Sequence, residues 1–166
     1  MSFKINVDMK EEYMVEFLLR HTYTHYSGII GIIVGVFAAA MCISTMLQVE
    51  IQASMPTLLI AILFLVVTPM TTINRAKQQV KNSEMFKKTI VYEFSEDGVT
   101  ARQGKTQAAN EWGEFIKAIE TRKSVILYVS RLRAIIFPKA CIGDNYDEMI
   151  KLIRAKMPAK SVKIRG

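Results

Sequence analysis

"SGIIGIIVGVFAAAMCISTMLQV", Ser27 to Val49, carries no charged side chain. At a rise of about 1.5 Å per residue, roughly 20 helical residues cross the ~30 Å hydrocarbon layer, so this run predicts a membrane-spanning helix. A second run, "SMPTLLIAILFLVVTPMTTI", Ser54 to Ile73, is also uncharged, and between Ser27 and Ile73 the only charged residue is Glu50. Ser54 reads as an N-cap, Pro56 as a first-turn residue, and Pro69 as a kink in the last turn. A buried helical hairpin of a soluble protein would need partners to cover two helices that are apolar all round. A cleaved signal peptide would have a shorter apolar centre and begin closer to the N-terminus. The preferred reading is a transmembrane hairpin over residues 27–73, with spans at about 27–49 and 54–73 and a connector at 50–53.

Charge around the hairpin is uneven. Of a net +7 for 166 residues, the stretch 74–166 holds 19 Lys/Arg against 10 Asp/Glu, whereas residues 1–26 hold 3 against 4. The connector has no Lys or Arg, and Arg75, Lys77, Lys81, Lys87 and Lys88 follow the second run. The positive-inside rule then puts both termini in the cytoplasm of a multi-pass protein of the cell (cytoplasmic) membrane. No RNA- or DNA-binding pattern accompanies the basic surplus, so nucleic acid is not an expected partner. Cys42 and Cys141 lie in different parts of the chain, and two free thiols fit a cytosol-facing protein.

Within the first span Ser27, Gly31, Gly35 and Ala39 recur every four residues. Such a stripe lets two helix backbones approach closely. Its partner is either the chain's own second helix, through Ala61, or a second copy in a homo-oligomer. Neither span contains an ionisable side chain, which argues against an ion or proton path through one copy.

Residues 1–26 predict an N-terminal strand at Phe3, Ile5 and Val7, then an amphipathic helix capped by Asp8 with Glu11. Tyr13, Met14, Phe17, Leu18 and His21 share one face of it, and Tyr23 and Tyr26 suit a membrane interface. His21 and His25 make half of a metal site with nothing nearby in sequence to complete it, so two interfacial histidines are the preferred reading. Residues 74–88 predict a basic connecting helix, whose cations suit anionic lipid headgroups or simply mark topology.

Beyond residue 88 the apolar period changes to two. Strands are predicted at Ile90–Phe94, from Val99, over Thr106–Trp112, Phe115–Glu120, Val125–Val129 and Arg133–Phe137, with turns at Ser95–Gly98, Thr121–Lys123 and Ser130–Leu132. Gly98 is able to take positive φ in its turn. A helix follows, with Asp144 as N-cap and Tyr146, Met149, Ile150, Ile153 and Met157 on one face, stopped by Pro158. Trp112 is assigned to the core. The domain occupies 89–158, and 159–166 is a frayed basic tail. The predicted fold class is thus an α+β membrane protein: a two-helix transmembrane hairpin, then a small antiparallel β-sheet or partial barrel of about six strands with a C-terminal capping helix.

"VYEFSEDGVTA", "EWGEFIKAIETRKSVILYVS" and "AIIFPKACIG", following two apolar spans, resemble the YcxB-like family of small bacterial membrane proteins. The likeness rests on Tyr92, Phe94, Asp97, Gly98, Trp112, Phe115, Leu127, Tyr128, Pro138 and Lys139. The family pattern usually places a bulky aromatic shortly after the proline–lysine pair, and here Ala140 and Cys141 stand there. The resemblance implies a pleckstrin-homology-like domain and carries no established activity.

No phosphate-cradling glycine loop, nucleophile elbow or metalloprotease motif is present, and Cys141 has no neighbouring histidine. The chain is therefore expected to be non-enzymatic and without a cofactor. The expected role is a membrane-anchored binding or scaffold protein. Besides the lipid bilayer itself, its expected partners are anionic lipid headgroups or another membrane or cytosolic protein. The alternative is a structural or regulatory membrane oligomer assembled through the small-residue stripe.

Overall fold

The computed structural model describes residues 2–48, 51–131 and 133–164. The chain forms two compact units, one of Met14–Gln79 and one that joins Met1–Tyr13 to Val80–Gly166. The elements are β1 (Phe3–Val7), α1 (Glu11–Thr24), α2 (Tyr26–Gln48), α3 (Ile51–Ile62), a π-helical turn at Leu63–Val67 and α4 (Thr68–Asn82). They continue as β2 (Ile90–Phe94), β3 (Gly98–Gln103), β4 (Thr106–Glu111), β5 (Lys117–Glu120), β6 (Ser124–Tyr128), β7 (Ala134–Pro138), α5 (Lys139–Ile142), α6 (Tyr146–Lys156) and β8 (Val162–Lys163).

In the unit of residues 14–79, α2 is one helix, and α3, the π turn and α4 form a second, continuous from Ile51 to Asn82; both are long and apolar enough to cross a membrane. The second helix starts earlier and ends later than its apolar run predicts. Ser54 lies inside it rather than at its cap, because its Oγ donates to the Ile51 carbonyl at 2.7 Å. Pro56 is likewise internal. Of the predicted connector at 50–53, Ile51, Gln52 and Ala53 are helical, and Glu50 lies outside the described residues. The disturbance expected of Pro69 appears just before it. Proline has no N–H for an i−4 bond and its ring crowds that carbonyl. Upstream the ladder widens by one residue, and the Thr68 N–H and Oγ1 both donate to the Leu63 carbonyl. The basic connecting helix is the end of this same helix, and the chain turns at Ser83–Phe86.

The other unit holds two four-stranded sheets, in the orders β1-β2-β3-β4 and β7-β6-β5-β8. Three departures from expectation explain why the described residues form eight strands and not six in one sheet. First, β1 pairs antiparallel with β2, Phe3 opposite Phe94 and Val7 opposite Ile90, so the N-terminal strand is an edge of the first sheet. Asp8 serves that union and not a helix cap: its carboxylate accepts from Thr89 Oγ1 at 2.6 Å, and α1 begins only at Glu11. Second, a 3₁₀ turn at Trp112–Glu114 carries the chain from one sheet to the other. The Trp112 backbone N–H donates to the Asp97 carbonyl and its indole N–H to the Ser95 carbonyl at 3.0 Å, which ends strand pairing there. Third, the tail residues 159–163 form a 3₁₀ turn and a short strand. Val162 and Lys163 pair parallel with β5, and Arg154 donates to the Ile164 carbonyl.

Two local expectations also change. Gly98 is not at positive φ; among the described residues only Gly104 and Gly143 are. Glycine is needed at 98 because a Cβ there would lie 2.1 Å from the Asn110 carbonyl oxygen of the paired strand. Asp144 falls in a 3₁₀ turn, Gly143–Asn145, and Asn145 takes the cap position of α6 without a side-chain bond. The β5–β6 turn is as expected and is closed by Thr121, whose N–H and Oγ1 both donate to the Ser124 carbonyl. Of the Ser130–Leu132 turn, Leu132 lies outside the described residues.

The core of this unit is shared by both sheets and the apolar face of α6: Ile5, Val7, Phe94, Val99, Leu127, Phe137, Met149 and Ile153 are almost fully buried. Gly98→Ala should cost about 2 kcal/mol or more, because the obstacle is backbone and cannot swing aside. Gly104→Ala should cost about 1 kcal/mol, for its positive φ alone. Urea unfolding of the full chain in detergent, followed by the fluorescence of the single tryptophan, measures both.

Candidate functional site

Most of the motif residues converge on one aromatic core. The Tyr92 ring meets Phe137 edge-on at 4.9 Å between centroids, and Phe94 lies 5.1 Å from Phe137 and 6.3 Å from Trp112. Trp112 in turn lies 5.7 Å from Phe115. Leu127 joins the same cluster. Asp97 acts through its backbone, and Pro138 is buried opposite Ser124 at the end of β7. Tyr128 is half-buried at the end of β6, with the Lys117 ammonium 5.9 Å from its ring centroid. Burial pushes the Tyr92 hydroxyl up to about 12.

Lys139 is different. Its ammonium pairs with Glu120 Oε1, and the Tyr146 hydroxyl donates to that same oxygen at 2.8 Å. The ammonium also lies 5.7 Å from the Tyr146 ring centroid. The Glu120 side chain is only 13% exposed, so its charge is held by two donors in a poorly hydrated place. Desolvation, then the bond to Glu120, pushes Tyr146 up to about 12. This cluster ties β5, the start of α5 and the start of α6 together. It combines a neutral hydroxyl donor with an ion pair on one carboxylate oxygen. Sequence reasoning found Lys139 and missed Glu120, which looked like an ordinary strand-end carboxylate. Tyr146 was placed on the helix's apolar face, where its hydroxyl had no visible partner.

The small-residue stripe divides. Ser27 is exposed and Ala39 half-buried, while Gly31 and Gly35 face the second helix of the same chain. A Cβ at Gly35 would lie 2.8 Å from Leu65 Cδ2 and 3.0 Å from Phe64 Cβ, and one at Gly31 3.2 Å from the Phe64 ring. Both glycines are thus occupied within one copy. The buried line of the hairpin is Gly35, Ala38 and Cys42 against Ser54 and Ala61. The most constrained glycine is Gly28, which the four-residue spacing passes over: its Cβ would lie 1.9 Å from the Thr22 carbonyl oxygen, where α1 bends into α2 at His25. A cavity of about 160 Å³ lies beside it, lined by Thr22, Tyr23, Gly31 and Phe64. The His21 and His25 rings lie 6.1 Å apart, and no group of three or more potential metal ligands occurs among the described residues.

The chain is therefore an α+β protein that combines an apolar helical hairpin with a two-sheet unit closed by a helix. Residues 94–153 match the family described as YcxB-like protein, so the stretch from the end of β2 into α6 is a YcxB-like domain. The match leaves out β1, most of β2 and β8, which complete the two sheets around it. No curated protein and no solved structure matches the chain.

Both late-titrating tyrosines have folded-state values above the unfolded value of about 10. Their contribution to stability is whole below pH ~10 and is lost as the pH rises through 12. An ultraviolet absorbance titration should show two tyrosines ionising late. Tyr146→Phe should remove one of them, and Glu120→Gln should move that one to lower pH. In the hairpin, thermal stability in detergent should fall in the order Gly28→Ala, Gly35→Ala, Gly31→Ala, from most to least damaging.

Proposed function

We propose that this chain is a non-enzymatic, membrane-anchored binding or scaffold protein. In this reading the helices Tyr26–Gln48 and Ile51–Asn82 cross the cell membrane as a hairpin, both termini are cytoplasmic, and the YcxB-like domain serves as a pleckstrin-homology-like module at the inner face. The observation that carries it is the pairing of Phe3–Val7 with Ile90–Phe94. These strands flank the hairpin in sequence and belong to one hydrogen-bonded sheet. One folded body cannot straddle a bilayer, so a chain that leaves it into lipid must return on the same side, after an even number of crossings.

Burial and charge agree with this. Only 17% and 11% of the two apolar windows is buried within the protein, far less than a core helix of a soluble protein. Phe37, Leu47 and Leu59 are each more than 60% exposed, and so large an apolar surface needs a membrane or a partner to cover it. The basic surplus after the hairpin matches the cytoplasmic side. The pleckstrin-like comparison is supported by two small, mainly antiparallel sheets sharing a core that a C-terminal helix covers. The ligand in this reading is an anionic lipid headgroup or another protein at the membrane.

Thiol labelling of the full chain in native membranes tests the anchor. Single cysteines at Ser2 and Gln107 should react only from the cytoplasmic side. Labelling of the two from opposite sides, or a purified chain that stays monodisperse without detergent, overturns it. Hydrogen exchange in nanodiscs tests the ligand. Added phosphatidylserine should slow exchange within 90–164, and unchanged exchange there rules out the headgroup and leaves a protein partner.

A further inference from the structure

The sheet β1-β2-β3-β4 has an undefended edge. Natural edges carry lysine, proline or a bulge, or are kept very short. Here β1 carries Lys4 as its second residue, β7 ends in Pro138 and β8 has two residues. By contrast β4, "TQAANE", is six residues with no charge before Glu111, no proline and no bulge in its register with β3. Among the described residues its only neighbour is β3, and five of its six residues are exposed. A core-facing row, Ile5–Tyr92–Ala101–Ala108, runs out to this edge and stops at an exposed alanine.

The hairpin geometry specifies which groups point outward. Gln103 pairs with Thr106 across a two-residue loop, and Gly104 at φ +59° followed by Lys105 at negative φ is the II′ arrangement. That loop closes on a hydrogen-bonded pair, so alternation turns the N–H and C=O groups of Gln107, Ala109 and Glu111 away from β3. A second copy of the same strand, antiparallel, meets those groups when Gln107 of one copy faces Ala109 of the other. In that register Ala108 faces Ala108 on the two-fold axis, and Lys105 faces Glu111 at both ends. Neither Lys105 nor Glu111 has an ion-pair partner within its own chain among the described residues.

We infer that β4 is a self-association edge: two copies of this chain join antiparallel through Thr106–Glu111, extending the sheet across both, with Ala108 at the symmetry axis and reciprocal Lys105–Glu111 pairs setting the register. Slipping by two residues keeps the hydrogen bonds but separates the charges, so the charges select one register among those the backbone permits. The alanine row suits this seam, since side chains at a non-hydrogen-bonded pair sit closest together. This dimer is independent of the small-residue stripe and of membrane anchoring.

Single cysteines in a full-length Cys42→Ala/Cys141→Ala background test it, in native membranes and in detergent. At a non-hydrogen-bonded pair the Cα atoms lie about 4.5 Å apart, within disulfide reach. Ala108→Cys should therefore form a covalent dimer under mild oxidation. Ala109→Cys alone should not, because it faces position 107, but mixed Gln107→Cys and Ala109→Cys chains should cross-link. Lys105→Glu and Glu111→Lys should each weaken the dimer about tenfold, and the double exchange should restore it. Tryptophan fluorescence checks that each variant is folded. A folded Ala108→Cys chain that stays monomeric, equal cross-linking at 108 and 109, or charge variants without reciprocal rescue overturns the proposal. A β4 that takes a strand from a different protein would give the first of these results.

Discussion

The contact between Phe94 and Phe137 holds the two-sheet unit together. Phe94 comes from the first sheet and Phe137 from the second, and both are fully buried. Burying a phenylalanine contributes roughly 2–3 kcal/mol, and aromatic pairs in tilted or edge-on geometry add about 1 kcal/mol. Neither sheet could do this alone, because each presents only half of the pocket. Tyr92, Trp112 and Phe115 gather around the same point. Trp112 must also satisfy its indole N–H, which is why it reaches the Ser95 carbonyl and why the chain changes sheets just there.

Around that core the polar side chains act as fasteners. Asp8 binds Thr89, Glu12 pairs with Lys123, and Lys156 with Glu96. The latter two pairs are exposed and contribute little each. Glu120 with Lys139 and Tyr146 is of another kind, since its carboxylate is mostly withdrawn from water and loses much if either donor is removed. The YcxB-like motif is thus chiefly a packing motif, with Lys139 adding a half-buried ion pair to Glu120.

The apolar helices, the period-two strands and the face of α6 were legible in the sequence, because hydrophobic spacing alone decides them. Trp112 was legible as a core residue for the same reason. What was hidden depends on partners far away in the chain. Nothing near Phe3 announces that it pairs with Phe94, and nothing near Val162 announces β5. Asp8 and Asp144 both looked like helix caps, but Asp8 found Thr89 and Asp144 fell in a 3₁₀ turn. Gly98 was correctly singled out for the wrong reason: its need is space beside Asn110 rather than backbone handedness. Gly28 was missed because the Thr22 carbonyl reaches it only once the chain has bent at His25. Glu120 and Tyr146 find each other only after β5 and α6 are packed.

The union of β1 with β2 sets an order of events during synthesis. The first strand leaves the ribosome long before the second, because the whole helical hairpin is made between them. At a translation rate of about 5–20 residues per second, Phe3, Ile5 and Val7 wait on the order of ten seconds for Ile90, Tyr92 and Phe94. Through that interval a short apolar segment stays without its partner strand, and the sheet can be finished only after both greasy helices have emerged. Maturation of the domain is thereby made to follow the hairpin rather than precede it.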